Sequence, residues 1–64
     1  MKYVDRTVLR ELEGEGPLSH EELSERVGLE WHELQRCIRR LRTKNKVEIT
    51  LDRRYVGTGV GRDD

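Results

Sequence analysis

Residues 18–29 read Leu18-Ser19-His20-Glu21-Glu22-Leu23-Ser24-Glu25-Arg26-Val27-Gly28-Leu29, and this stretch opens, builds and closes a helix. Ser19, with Glu22 three residues on, is a capping box: the hydroxyl accepts from the third helical N–H while the glutamate reaches back to the serine N–H. Leu18 before the cap and Leu23 at the fourth helical position suit a hydrophobic staple. Leu23 and Val27, four apart, share an inward face. Gly28, free to take a left-handed conformation, ends the helix. Another helical run follows at once, over residues 30–44, with Leu34, Ile38 and Leu41 as its inner stripe and Trp31 three residues before Leu34. Only Gly28-Leu29-Glu30 separates the two runs, so the connection is a tight turn.

Upstream, residues 4–13 place Val4, Val8, Leu9 and Leu12 on one helical face, with Asp5 as the expected cap and Gly14, Gly16 and Pro17 as the stop. Downstream, Asn45 takes the left-handed capping place that glycine more often fills. Val47, Ile49 and Leu51 then alternate with Glu48 and Thr50 as in a half-buried strand. Asp52-Arg53 is expected as a tight turn and Arg54-Tyr55-Val56 as the returning strand. From Gly57 the chain has neither periodicity nor core. The expected organisation is one domain over residues 1–56 with a flexible tail over 57–64. The fold class is α+β, mainly α: three helices followed by a two-stranded β-hairpin.

At 64 residues the chain forms one small domain, which buries only about 60% of its unfolded surface. Its single cysteine, Cys37, closes no internal disulfide and is expected to pack at the core's edge as a small hydrophobe. Together with His20 and His32 it matches no zinc spacing, so neither metal nor cofactor is expected. The composition is 33% apolar and 41% charged, but 13 basic residues balance 13 acidic ones. Disorder needs high net charge as well as low hydropathy, so the chain reads as folded. No run approaches the length of a membrane span and no signal-peptide pattern opens the chain. A lone thiol fits a reducing compartment, and the cytoplasm is the expected location. An enzyme is not expected: there is no Ser-His-Asp set, phosphate-binding glycine loop or carboxylate pair.

The even charge balance conceals a polarity. Residues 1–29 carry a net charge of −3 and residues 30–64 a net of +3. Arg36, Arg39, Arg40, Arg42, Lys44 and Lys46 follow one another with no acid among them, a local field that matters to a polyanion more than the overall sum does.

The stretch from Leu18 to Leu29 resembles the second helix and turn of winged helix-turn-helix transcription regulators, which typically read "ls-x-x-eLa-x-x-lGls". The continuation Leu34-x-Arg36-x-Ile38-x-x-Leu41-x-x-Lys44-Asn45-x-Val47 is similar to their recognition helix and first wing strand. The resemblance spans residues 4–56 and looks closest to small archaeal and bacterial regulators. It implies a winged helix-turn-helix fold that binds double-stranded DNA, with the helix over residues 30–44 in the major groove and a short wing on the backbone. One departure stands out: where the family opens that helix with serine or threonine, this chain has Glu30-Trp31-His32-Glu33. Glu33 either accepts from a cytosine amino group or supports the helix N-terminus.

With Leu34, Ile38 and Leu41 inward, the outward face carries His32, Gln35, Arg36 and Arg39. Gln35 suits adenine and Arg36 or Arg39 suits guanine. Arg40 belongs to the same basic run, and Lys44 and Lys46 close it, where cations also favour the helix dipole. Arg53 and Arg54 fall at the wing tip, in reach of phosphates. Ser19 stands where helix N–H groups hold a phosphate in this fold, besides acting as a cap. Trp31 extends the core stripe by spacing, whereas the resemblance turns it outward toward nucleic acid; both readings stay open. A rival use of the same fold is a protein-docking module, which the acidic N-terminal half and Glu30 and Glu33 would suit. Left-handed DNA is disfavoured, because the tyrosine and the proline-rich wing that the resemblance would require are missing. A homodimer or a protein partner also stays open.

Overall fold

The computed structural model describes residues 2–58. The elements follow in the order α1 (Tyr3–Glu15), α2 (His20–Val27), α3 (Trp31–Thr43), β1 (Val47–Ile49) and β2 (Tyr55–Gly57). The three helices pack on one another and the antiparallel β1–β2 hairpin closes one side, with Val47 opposite Gly57 and Ile49 opposite Tyr55.

The core is built from the positions that the sequence periodicity singled out. Val8, Leu9 and Leu12 of α1, Leu23 of α2 and Leu34, Ile38 and Leu41 of α3 are all buried, joined by Leu18, Cys37 and Val47. Val27, Leu29 and Tyr55 pack half-buried against this cluster. Burial of these side chains in one contiguous core is the main favourable term holding the fold.

The capping box forms as the sequence required. Ser19 Oγ accepts from the Glu22 N–H at 3.1 Å, and Glu22 Oε1 accepts from the Ser19 N–H at 3.0 Å. At the other end of α2, Gly28 takes φ +71°, a conformation that costs glycine little. Ser24 braces the turn into α3: its carbonyl accepts from Gly28 and Leu29, and its hydroxyl donates to the Leu29 carbonyl at 2.6 Å. Gly16 is needed for a different reason. A Cβ there would lie 2.5 Å from the Leu12 carbonyl oxygen, which accepts the Gly16 N–H at 2.9 Å as α1 ends. Across the α1–α2 contact, Arg26 reaches Glu11 at 3.1 Å.

The end of α3 is a Schellman motif. Asn45 stands at φ +60°, its N–H donates to the Arg42 carbonyl at 2.9 Å, and the Lys46 N–H donates to the Leu41 carbonyl at 2.8 Å. The chain thereby turns straight into β1.

Four local expectations change. Asp5 is not the cap of α1: Lys2 is, and Asp5 lies inside the first turn with its side chain buried. Cys37 is not at the edge of the core but fully inside it. The alternation Val47-Ile49-Leu51 breaks after Ile49, because Thr50 starts the turn: its N–H donates to the Arg54 carbonyl at 2.7 Å and its carbonyl accepts from Arg53 at 2.9 Å. Leu51 is therefore fully exposed at the hairpin tip and Ile49 is 44% exposed, since none of the described residues lies over the outer part of so short a wing. Gly57, expected to begin the tail, is instead in β2, and Thr58 still donates to the Lys46 carbonyl at 2.7 Å; the rest of the expected tail lies outside the described residues.

One connection has no counterpart in the sequence reading. Leu18 and Tyr55 exchange both backbone hydrogen bonds, at 2.7 and 3.2 Å. The segment before α2 thus acts as a third, one-residue strand, and β2 is pinned between it and β1.

Candidate nucleic-acid interface

The side of α3 turned away from the core carries His32, Gln35, Arg36, Arg39, Arg42 and Thr43, all exposed. At 100° per residue, His32, Arg36, Arg39 and Thr43 form the outermost stripe of the helix. Trp31, Gln35 and Arg42 form a second stripe beside it. Its last member, Arg42, lies near enough to β2 for its charge to act on the Tyr55 hydroxyl. Burial pushes the Tyr55 phenol up and Arg42 pulls against it, with burial prevailing.

The basic run divides into two populations. Arg40 turns back toward α1, where its Nη2 donates to Asp5 Oδ1 at 2.9 Å and its Nε to Oδ2 at 3.4 Å. The Asp5 side chain is 1% exposed and that of Arg40 is 36% exposed. Cys37 completes the cluster, its thiol donating to Asp5 Oδ1 at 2.9 Å. Burial alone would raise the Asp5 pKa, but the hydrogen bonds from Arg40 and Cys37 and the charge of Arg40 outweigh it and hold the carboxyl below its ordinary value. The Cys37 thiol is pushed up to about 12, first by burial and then by the adjacent carboxylate. It is a protonated donor inside the fold, not a reactive group.

The other cations of the run, Arg36, Arg39, Arg42, Lys44 and Lys46, form no ion pair among the described residues. All but the half-buried Lys46 are exposed. The wing divides in the same way. Arg54 is half-buried and bridges Glu22 of α2 and Asp52, each at 3.3 Å. Asp52 in turn accepts from the Thr50 hydroxyl, which with its other bonds lowers the Asp52 pKa. Arg53, at φ +65°, is exposed and forms no ion pair among the described residues.

Glu33 supports the helix start rather than standing free: its Oε1 accepts from the Glu30 N–H at 3.4 Å. A negative side chain in the first turn also favours the helix dipole. Ser19 is engaged as the α2 cap.

Trp31 is not core. It is the first residue of α3, is 51% exposed, and packs against His20 with the rings tilted by 43° and their centroids 4.5 Å apart. His32 meets it in a T-shaped contact at 5.3 Å. His20 is itself fixed at both nitrogens, with Nε2 3.1 Å from the Trp31 carbonyl oxygen and Nδ1 2.9 Å from the Tyr55 hydroxyl. A carbonyl only accepts, so Nε2 carries the proton; in the neutral ring Nδ1 then accepts from Tyr55. One imidazole thus joins the starts of α2 and α3 to β2.

Three members of this surface, Arg42, Thr43 and His20, were absent from the candidates read in the sequence. Arg42 lay within the basic run, and its spacing of seven from Gln35, two helical turns, was the available signal. His20 offered only its place beside Ser19 at the opening of α2; its ring contacts had no signal, since its partners lie 11 and 35 residues away.

Among the described residues no group of His, Cys, Asp or Glu could hold a metal ion, and no helix is long and apolar enough to cross a membrane. The curated proteins and the solved structures contain no match to the chain. The family model for winged helix-turn-helix DNA-binding domains, in contrast, matches residues 1–48, from the start of α1 into β1. Three helices in this order, a tight α2–α3 turn, a hairpin wing and that match agree: the chain belongs to the winged helix-turn-helix DNA-binding family.

Proposed function

We propose that this domain is a transcription regulator that binds duplex DNA with α3 in the major groove and the β1–β2 wing along the backbone. The observation that carries the reading is the outer face of α3. Gln35, Arg36 and Arg39 are exposed there, the two arginines form no ion pair among the described residues, and the one buried acid near the run is already paired with Arg40. A face that donates hydrogen bonds over a run of cations suits base edges and flanking phosphates together. In this reading Gln35 pairs with adenine, and Arg36 and Arg39 with guanine or phosphate. His32, Lys44, Lys46 and Arg53 supply backbone contacts. Arg40 and Arg54 hold the fold and the wing in place.

Titration of a duplex with the full chain, by fluorescence anisotropy over a range of salt concentrations, tests the proposal. The expected result is an affinity that falls steeply with salt, with a log–log slope of about −0.9 for each phosphate neutralised. Absence of binding even at low salt overturns it and leaves the fold as a protein-docking module.

A further inference from the structure

Trp31 has a combination of properties that core packing does not account for. It is large and apolar, it stands at the first position of α3, and half of it is in water. Yet it is not loose. His20 packs against it at a tilt and His32 meets it in a T-shaped contact. His20 is in turn locked by the Tyr55 hydroxyl and by the carbonyl of Trp31 itself. The indole is a rigid apolar plate, held from behind with its free surface outward. Rigid aromatic side chains lose little entropy on binding and so serve as contact surfaces at interfaces.

What such a plate can recognise follows from its position, given the duplex-DNA reading above, on which this inference rests. The N-terminal residues of a recognition helix are the ones that reach base edges. In a stacked duplex the faces of the bases are covered, so an indole meets edges and not rings. Along the floor of the major groove nearly every group is a polar donor or acceptor; the apolar one is the C5-methyl of thymine. Gln35 lies on the same stripe of α3 one turn further on, and its amide suits adenine. We propose that Trp31, backed by His20, reads a thymine methyl in the major groove, so that the Trp31–Gln35 stripe selects an A·T step. Trp31 makes the contact and His20 is a positioning residue.

The probe is the tightest-binding duplex that the full chain selects from a random-sequence pool, remade with deoxyuridine in place of each thymidine in turn. This exchange removes one methyl and leaves every hydrogen-bonding group unchanged. The wild-type chain is expected to lose about threefold to fivefold in affinity at one position, the effect of uncovering a single methyl. Trp31→Ala is expected to bind the thymidine and deoxyuridine duplexes equally. His20→Ala is expected to narrow the difference while leaving the salt slope unchanged, which a merely structural role would not do. The wild-type scan needs no variant to fold. If it shows no sensitive position, or if Trp31→Ala keeps the wild-type sensitivity, the inference fails while duplex binding stands. If the wild-type chain selects no duplex at all, both readings fail.

Discussion

The chain carries two pairs of adjacent arginines, Arg39-Arg40 on α3 and Arg53-Arg54 on the wing, and both pairs divide the same way. The second member is held by carboxylates, Arg40 by Asp5 and Arg54 by Glu22 and Asp52. The first member is exposed and forms no ion pair among the described residues. The two captured arginines nevertheless differ in kind. Asp5 is sealed from water, whereas Glu22 and Asp52 are open to it. Breaking a buried pair leaves an uncompensated charge inside the fold, while breaking an exposed one leaves each partner to the solvent. Residues of one type, one position apart, are therefore assigned to holding the fold or to meeting a ligand by what faces them.

The largest effect is expected at the buried pair. Arg40→Ala strands the Asp5 carboxylate beneath α3, a change that costs about 3 kcal/mol, the lower end for a broken buried pair because the guanidinium is itself partly in water. A domain of this length has roughly 3–10 kcal/mol to lose, so the variant should give up from about a third to all of its stability, read as a lowered midpoint in a urea titration followed by circular dichroism. A midpoint unchanged from wild type would show that the Asp5–Arg40 pair does not hold α1 to α3. Arg39→Ala is the mirror image. It should leave the stability from the urea titration within about 0.5 kcal/mol of wild type and weaken duplex binding by about 1–3 kcal/mol, as for one lost bidentate contact. An unaltered affinity removes Arg39 from the interface.

How far the sequence discloses this division depends on the range of the interaction. The α2 helix is legible to the residue, because its cap and its stop lie within ten residues and are local in chemistry. The stripe Leu34-Ile38-Leu41 is legible for the same reason, and it defines the outward face bearing Gln35, Arg36 and Arg39. The fate of Arg40 is not legible: helical spacing puts it on the flank of α3, but its partner is 35 residues earlier, in a place where Asp5 reads as a cap. Leu51 misleads in the opposite direction. It continues an alternation that is real through Ile49, but whether anything covers the next inward position depends on the size of the helical body behind the wing. Trp31 satisfies the spacing of a core residue and the position of a contact residue at once; only the packing of His20 from α2 decides between them.

Acid should sharpen the comparison further. The carboxyl of folded Asp5 titrates below its ordinary value of 3.8, so in that range the unfolded chain binds the proton first. By linkage the stability supplied by the pair is complete above that ordinary value and is lost as pH falls through it toward the folded value. The urea midpoint of the wild-type chain should drop over this range. Asp5→Asn, which cannot titrate, should start lower at neutral pH and lose less on acidification, though not nothing, because Glu22 and Asp52 are also held below their ordinary values. Parallel pH profiles for the two chains would place the acid sensitivity elsewhere.

The smallest effect is expected at Arg53, where backbone and charge pull apart. Its φ of +65° is a conformation in which a side chain with a Cβ is strained, at a cost of about 1–2 kcal/mol. Glycine relieves that strain but adds freedom to the unfolded chain, at roughly 0.5–1 kcal/mol, so Arg53→Gly should gain about 0.5 kcal/mol in stability. If Arg53 lies on a phosphate, the same variant should lower the magnitude of the salt slope for duplex binding by about 0.9. Arg53→Ala separates the two effects. It removes the same cation and keeps the strained φ, so its salt slope should match that of Arg53→Gly without the gain in stability. A slope unchanged in both variants would mean that the exposed arginine of the wing, unlike that of α3, points to solvent and not to the DNA backbone.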